Sequence, residues 1–222
     1  MKLRTALAFA AAALVAPAAA QIIQTEEESF RVVTLTERLE HPWALAFLPD
    51  GRMLVTERAG RLRIVGRDGK LAPQPVAGLP PIEEYGQGGL LDVALHPRFD
   101  QNALVYLSYA ERGDAGYGTA VLRGRLTGDR LDAVEVIYRQ EPKSRGGRHF
   151  GSRLVFDPAG FLYVTQGDRG EQERAQKLDD LAGKVVRLHD DGRVPKDNPF
   201  VSRPGARPEI FTLGNRNVQG AA

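Results

Sequence analysis

The sequence predicts an all-β fold built from repeated antiparallel sheets, and three observations carry that prediction. Short β-branched and apolar runs are separated by Pro, Asp and Gly; a proline turn motif recurs three times; and 24 Gly and 14 Pro are spread evenly over 222 residues instead of gathering in one tract. The hydrophobic, charged and aromatic shares, 42%, 26% and 7%, are those of a chain that can bury a sizeable core. There is no cysteine, which excludes disulfides and thiolate metal sites.

Taken in chain order, residues 1–20 read as a secretory signal peptide. Lys2 and Arg4 lead into an apolar run from Ala6 to Ala16, followed by Pro17 and the small residues Ala18, Ala19 and Ala20. A retained N-terminal anchor is the alternative, although the run is short and alanine-rich for a membrane span, and no later stretch reaches span length. Removal of this leader takes away two bases and no acids, so the remaining chain carries 28 of each and is formally neutral. No basic stripe with interleaved aromatics is present, so no nucleic-acid partner is expected. One domain over residues 21–222, periplasmic or secreted, is the expected organisation.

After a polar lead-in through Glu26, Glu27 and Glu28, strands are expected at Arg31 to Leu35, Met53 to Thr56, Leu62 to Val65, Leu104 to Tyr109, Val134 to Tyr138, Leu162 to Thr165 and Val185 to Leu188. The one helical candidate is Glu171 to Leu181, with a charged face and few leucines. The repeat is more telling. Phe47, Pro49, Asp50 and Gly51 precede one of these runs; Leu95, Pro97 and Asp100 precede another; Phe156, Pro158 and Gly160 precede a third. Each copy reads as a strand end, a proline-initiated turn and a second strand. The prolines lie 48 and 61 residues apart, which is blade spacing for a β-propeller with some loop insertions. At about 45 residues per four-stranded blade the chain suffices for about four blades. A four-bladed ring is conceivable; an incomplete chain is the expectation, because the sequence stops at Gly220, Ala221 and Ala222 without a closing strand.

The common hydrolase and nucleotide signatures are absent, which leaves polar residues at turns between strands. His149 follows the loop Lys143 to Arg148 and precedes a strand at Leu154 to Phe156. An imidazole there can take a proton from a substrate hydroxyl near neutral pH, or it can simply bond to loop backbone. Asp168, in Gln166-Gly167-Asp168-Arg169-Gly170, either orients an imidazole on the adjacent blade mouth or caps a glycine turn. Gln87 is flanked by glycines that allow close approach to a ligand, or that merely make a tight turn. Arg216 and Asn217 suit an anionic, carbonyl-rich ligand, and alone would pass for a surface loop.

Together these segments resemble the soluble quinoprotein glucose/sorbosone dehydrogenases, in particular the bacterial aldose sugar dehydrogenases. The stretches that carry the resemblance are His41 to Phe47, Leu54 to Arg58, Gly86 to Pro97, His149 to Asp168, Gly183 to Leu188, Pro195 to Phe200 and Gly214 to Gly220. The resemblance implies a six-bladed β-propeller that binds pyrroloquinoline quinone (PQQ) and oxidises the C1 hydroxyl of an aldose to a lactone, passing electrons to an external acceptor. It implies His149 as general base, Asp168 as its orienting carboxylate, Gln87 as a substrate contact, and Arg216 and Asn217 as quinone contacts. Val218 and Asn215 depart from the His-Arg-Asn-Pro form common in the family. Catalytic calcium is also implied, with its ligands beyond the end of this chain, so the chain by itself is expected to lack sugar oxidation. Two other readings compete: a non-catalytic secreted propeller that serves as a binding module, and a calcium-dependent propeller lactonase, for which no set of metal-ligating acids can be assembled from these turns.

Overall fold

The computed structural model describes residues 21–222, so the leader expected at 1–20 lies outside the described residues. Those described form thirteen strands in four sheets, with one four-residue α-helix and one five-residue 3-10 helix. No helix among them is long and apolar enough to cross a membrane. The all-β class expected from the turn-punctuated sequence is what the chain adopts.

The chain divides into two compact units after Leu35. In the first, β1 (Gln21–Gln24) pairs antiparallel with β2 (Ser29–Val32). Thr25 closes the hairpin: its hydroxyl donates to the Glu28 carbonyl and accepts the Glu28 N–H. The acidic run Glu26–Glu28 is therefore a turn, not a lead-in. The strand expected over Arg31–Leu35 begins instead at Ser29 and ends at Val32, because the turn fixes the register.

The second unit, Thr36–Ala222, consists of three antiparallel sheets whose spatial order follows the chain. The first contains β3 (Pro42–Phe47), β4 (Met53–Glu57) and β5 (Arg61–Val65). The second contains β6 (Leu90–Leu95), β7 (Leu104–Gly113), β8 (Gly116–Thr127) and β9 (Arg130–Arg139). The third contains β10 (Gly151–Phe156), β11 (Leu162–Gln166), β12 (Val185–Leu188) and β13 (Ile210–Thr212). β3 packs on β6, and β6 packs on β10, so the leading strands of successive sheets stand side by side as the inner strands of propeller blades do.

The second sheet is buried on both faces, and the period of two along its strands explains how. Ala120 and Leu122 of β8 join Leu54, Leu62, Leu90 and Leu107 in one core, while Val121 between them joins Tyr106, Leu154, Leu162, Val164 and Val186 in the other. Each such leucine or valine, fully buried, contributes about 1.5–3 kcal/mol. The repeated motif forms the turns expected of it: Leu48 N–H donates to Arg52 O, and Asp157 N–H donates to Phe161 O. In the middle copy a short helix, Phe99–Asn102, widens the turn, and His96 N–H donates to Leu104 O.

The helix expected over Glu171–Leu181 does not form. Only Gln172–Gln176 coil, as a 3-10 helix, and Lys177 is already extended. Side-chain contacts hold the segment on another course, and one of them takes a backbone carbonyl that an α-helix would use. The Arg174 guanidinium donates to Asp180 at 2.7 and 3.1 Å and to the Pro142 carbonyl at 2.6 Å, while the Arg174 carbonyl accepts Lys184 Nζ at 2.8 Å. Lys184 is wholly buried, and burial holds its ammonium down to about 8.

A histidine joins the second and third sheets. Buried His96 accepts the Arg98 N–H at 3.0 Å on Nδ1, which also meets the Asn102 amide at 2.8 Å; Nε2 therefore carries the proton and faces Asp190 at 3.4 Å. Its ring also packs edge-on against Phe156. Burial pushes its pKa down, Asp190 opposes that, and Arg98 and Arg123 add to it. With the folded pKa below the unfolded one, the unfolded chain takes up the proton first as pH falls. His96 thus favours the folded state fully above an ordinary histidine pKa of about 6.5, and its contribution declines below that. Urea unfolding at about pH 7.5 and about pH 5.5 should give lower stability at the acid value. In His96→Asn that acid loss should shrink; a loss as large as in the wild type would contradict this assignment.

Candidate functional site

Antiparallel register decides which loops share an end of the blade. Gly151 pairs with Gln166, Thr165 with Val185, and Val185 with Thr212, so β10 and β12 begin, and β11 and β13 finish, at one end. The loop ahead of β6 reaches the same place, since Gln87 N–H donates to the Gly147 carbonyl at 2.7 Å. Loops 86–89, 143–150, 167–170 and 213–219 therefore gather there.

His149 and Asp168 meet at this end. His149 Nδ1 lies 2.7 Å from Asp168 Oδ1, and the two residues are 8% and 3% exposed. The same carboxylate oxygen accepts the Gly170 N–H at 2.7 Å. An ionised carboxylate has only lone pairs to offer, so a neutral imidazole that meets it carries its proton on Nδ1 and keeps the lone pair on Nε2, which has no hydrogen-bond partner among the described residues. Sequence reasoning looked for an imidazole on an adjacent blade. The partner instead belongs to the same sheet, because the loop before β10 and the loop after β11 flank paired strands.

The approach is tight. A Cβ on Gly167 would stand 1.8 Å from the His149 carbonyl oxygen, so only glycine fits. His149 itself adopts φ +55°, a left-handed conformation that costs a side-chain-bearing residue about 1–2 kcal/mol. Ser152 at φ +87° and Arg169 at φ +60° share that conformation close by. Strain of this kind persists only where the surroundings over-determine it, and it clusters at working sites.

The other residues singled out from sequence converge here as well. Gln87 Oε1 accepts the His149 backbone N–H at 2.9 Å, which fixes the loop position of the imidazole. The Arg216 carbonyl accepts the Asp168 N–H at 2.8 Å, so Arg216 is tied to the pair through its backbone while its side chain is exposed. Asn217 Oδ1 accepts the Gly151 N–H at 3.1 Å. The segment continues across the blade end: Thr165 Oγ1 donates to Val218 O at 2.9 Å, and Arg153 Nε donates to Gln219 O at 2.6 Å.

Sequence reasoning missed the brace beneath this segment. Arg153 also donates to Asp92 at 3.0 Å and lies 4.2 Å from the Trp43 ring centroid, so one guanidinium joins residues of all three blades. Asp92, buried, further accepts the Leu154 N–H at 2.8 Å; burial raises its pKa against the pull of these partners. Trp43 and Asp92 lie within the motif stretches, but nothing local announces their common partner. Among the described residues no three His, Asp or Glu side chains gather to hold a metal ion.

Fold and site together define a class, a β-propeller with a histidine–carboxylate pair at its blade ends. Within it, this chain belongs to the glucose/sorbosone dehydrogenase family, whose model matches residues 39–222. It is 49% identical over 195 residues to the aldose sugar dehydrogenase YliI of Escherichia coli, covering 86% of this chain and 52% of that one. The crystal structure of the soluble aldose sugar dehydrogenase from Escherichia coli in the apo form matches with a TM-score of 0.81 at 46% identity, over 83% of this chain and 54% of that one. The PQQ-bound aldose sugar dehydrogenase from Streptomyces coelicolor matches with a TM-score of 0.69 at 29% identity, over 84% and 54%. The chain spans about half the length of the curated relatives it matches. These likenesses bear out the expected quinoprotein-type propeller.

The close approach at Gly167 yields a direct check. Gly167→Ala should lower stability by roughly 1–3 kcal/mol through overpacking against His149. Gly220→Ala, with open space around its Cβ and no left-handed φ, should leave the denaturation midpoint unchanged. Equal midpoints for both variants would show that the His149 loop is not held where described.

Proposed function

We propose that the blade ends of this chain form the base-bearing part of a PQQ-dependent aldose dehydrogenase site. The observation that carries the reading is the His149–Asp168 pair, with Nδ1 committed to the carboxylate and Nε2 free. In this reading Nε2 removes the proton from the C1 hydroxyl of the sugar, and Asp168 stabilises the imidazolium that results. Gln87 holds the imidazole by its backbone and offers its amide nitrogen to a sugar hydroxyl. The donors at the mouth suit an anionic, carbonyl-bearing cofactor: the Arg216 guanidinium is exposed, without a carboxylate partner among the described residues, and the Asn217 amide is half-buried beside it. When bound, the quinone supplies the acceptor for the hydride leaving C1, and the sugar becomes a lactone.

The proposal extends to a periplasmic or secreted location, reached through the leader at residues 1–20, and to an external acceptor that reoxidises the cofactor. The likeness to aldose sugar dehydrogenases supports sugar as the substrate class.

Absorbance titration of the purified chain with PQQ tests the cofactor half of this reading. Binding should be weakened about tenfold by Arg216→Ala, the loss of roughly 1.4 kcal/mol, and left intact by His149→Ala. In protein extended to the length of its relatives, His149→Ala should lower glucose-dependent dye reduction by roughly 10²–10⁴-fold. A wild-type chain whose titration shows no binding would favour the binding-module reading instead.

A further inference from the structure

The loop that carries His149 contains two consecutive glycines, Gly146 and Gly147, and so has little intrinsic rigidity of its own. Yet all four carbonyls ahead of His149 are taken. Arg145 O accepts Tyr85 Oη at 2.8 Å, and Gly147 O accepts the Gln87 N–H at 2.7 Å. The remaining two, Gly146 O and Arg148 O, both accept from one side chain, the Arg169 guanidinium, through Nη2 and Nη1, the latter at 2.7 Å. The same guanidinium lies over the ring of Phe150, the residue after His149, with its carbon 3.4 Å from the ring centroid.

Arg169 is 1% exposed, and among the described residues no carboxylate pairs with it. Burying an uncompensated cation is expensive, and burial accordingly pulls its pKa to about 10. A buried guanidinium that gives its two terminal nitrogens to two loop carbonyls and its face to an aromatic ring is placed for loop geometry. It follows Asp168 directly in sequence, while its partners Arg148 and Phe150 flank His149 on both sides. One residue thus bridges the carboxylate loop and the imidazole loop.

We propose that Arg169 is a positioning residue that locks the His149 loop against Asp168 and thereby keeps the imidazole in its Nδ1–H form. The inference rests on the proposed role of His149 as base, and it names the group that keeps that base in its working tautomer. Lysine cannot substitute, because an ammonium has neither the fork that spans two carbonyls nor a planar face for the ring.

The test uses the chain itself, labelled with nitrogen-15 in its four histidines, with neither quinone nor sugar present. Ring nitrogen shifts report the tautomer of each histidine. In the wild type His149 should show the Nδ1–H signature; in Arg169→Lys, which keeps the charge, that signature should collapse towards the average of the two tautomers. His96, on a different inter-blade contact, should keep its own signature and so certify that the variant is folded. Phe150→Leu, which removes the ring and leaves the guanidinium, should move His149 in the same direction. An unchanged His149 signature in folded Arg169→Lys and Phe150→Leu would overturn the proposal and reduce Arg169 to core packing. Because the readout needs no turnover, a wild-type chain with the Nδ1–H signature but no quinone binding would reject the functional reading while leaving this one standing.

Discussion

The hydrogen bond between Asp168 and His149 is the constraint around which the rest of the blade end is arranged. A carboxylate and an imidazole 19 residues apart in sequence meet because β10 and β11 are antiparallel neighbours and their loops leave from the same end. The contact demands more than proximity. Asp168 must be a carboxylate, and its other hydrogen bond comes from an N–H, that of Gly170; His149 must turn its Nδ1 inward, and its backbone takes a left-handed φ; and the residue between the loops must lack a side chain, so it is Gly167. Each feature is unfavourable or unusual alone, and each is explained by the others.

What holds such an arrangement in place is the stiffness of the sheets below it. The second sheet sends alternate side chains into two cores, so it cannot slide on either neighbour without exposing leucines on one side or valines and tyrosines on the other. Polar ties then set the fine position. Arg153 joins Asp92, Trp43 and the segment at Gln219, and the carbonyls from Arg145 to Arg148 are each occupied. Strand packing supplies bulk stability, and the guanidinium groups of Arg153 and Arg169 supply the register of the loops.

The features legible in sequence were those determined locally. Pro49-Asp50-Gly51 and Pro158 to Gly160 announce turns because proline presets one φ and glycine supplies the positive φ that the turn needs, +84° at Gly51 and +88° at Gly160. The strand at Val185–Leu188 was legible from its own apolar run. β8 was not: glycines and arginines interrupt it, and it is a strand because β7 and β9 pair with it along nearly its whole length. The helix expected at Glu171–Leu181 failed for the same reason in reverse, since Asp180, Pro142 and Lys184 claim the groups of Arg174 from a distance. At the site, His149, Asp168, Gln87, Arg216 and Asn217 were nameable from their motifs, and all five converge. Arg153 and Arg169 were not, because an arginine at a strand start or in a loop reads as solvated surface until the rings, carboxylate and carbonyls that it meets are seen.

The propeller of the glucose/sorbosone dehydrogenase family thus gives this chain a rigid frame, and the frame gives an otherwise ordinary histidine one free nitrogen. That assignment of the proton is the central claim. Neutron diffraction from crystals of the deuterium-exchanged protein, grown above the ordinary histidine pKa, would locate it directly. The account predicts a deuteron on His149 Nδ1, directed at Asp168 Oδ1, with Nε2 bare; a deuteron on Nε2 with Nδ1 bare, or one carried by the Asp168 carboxyl, would contradict it.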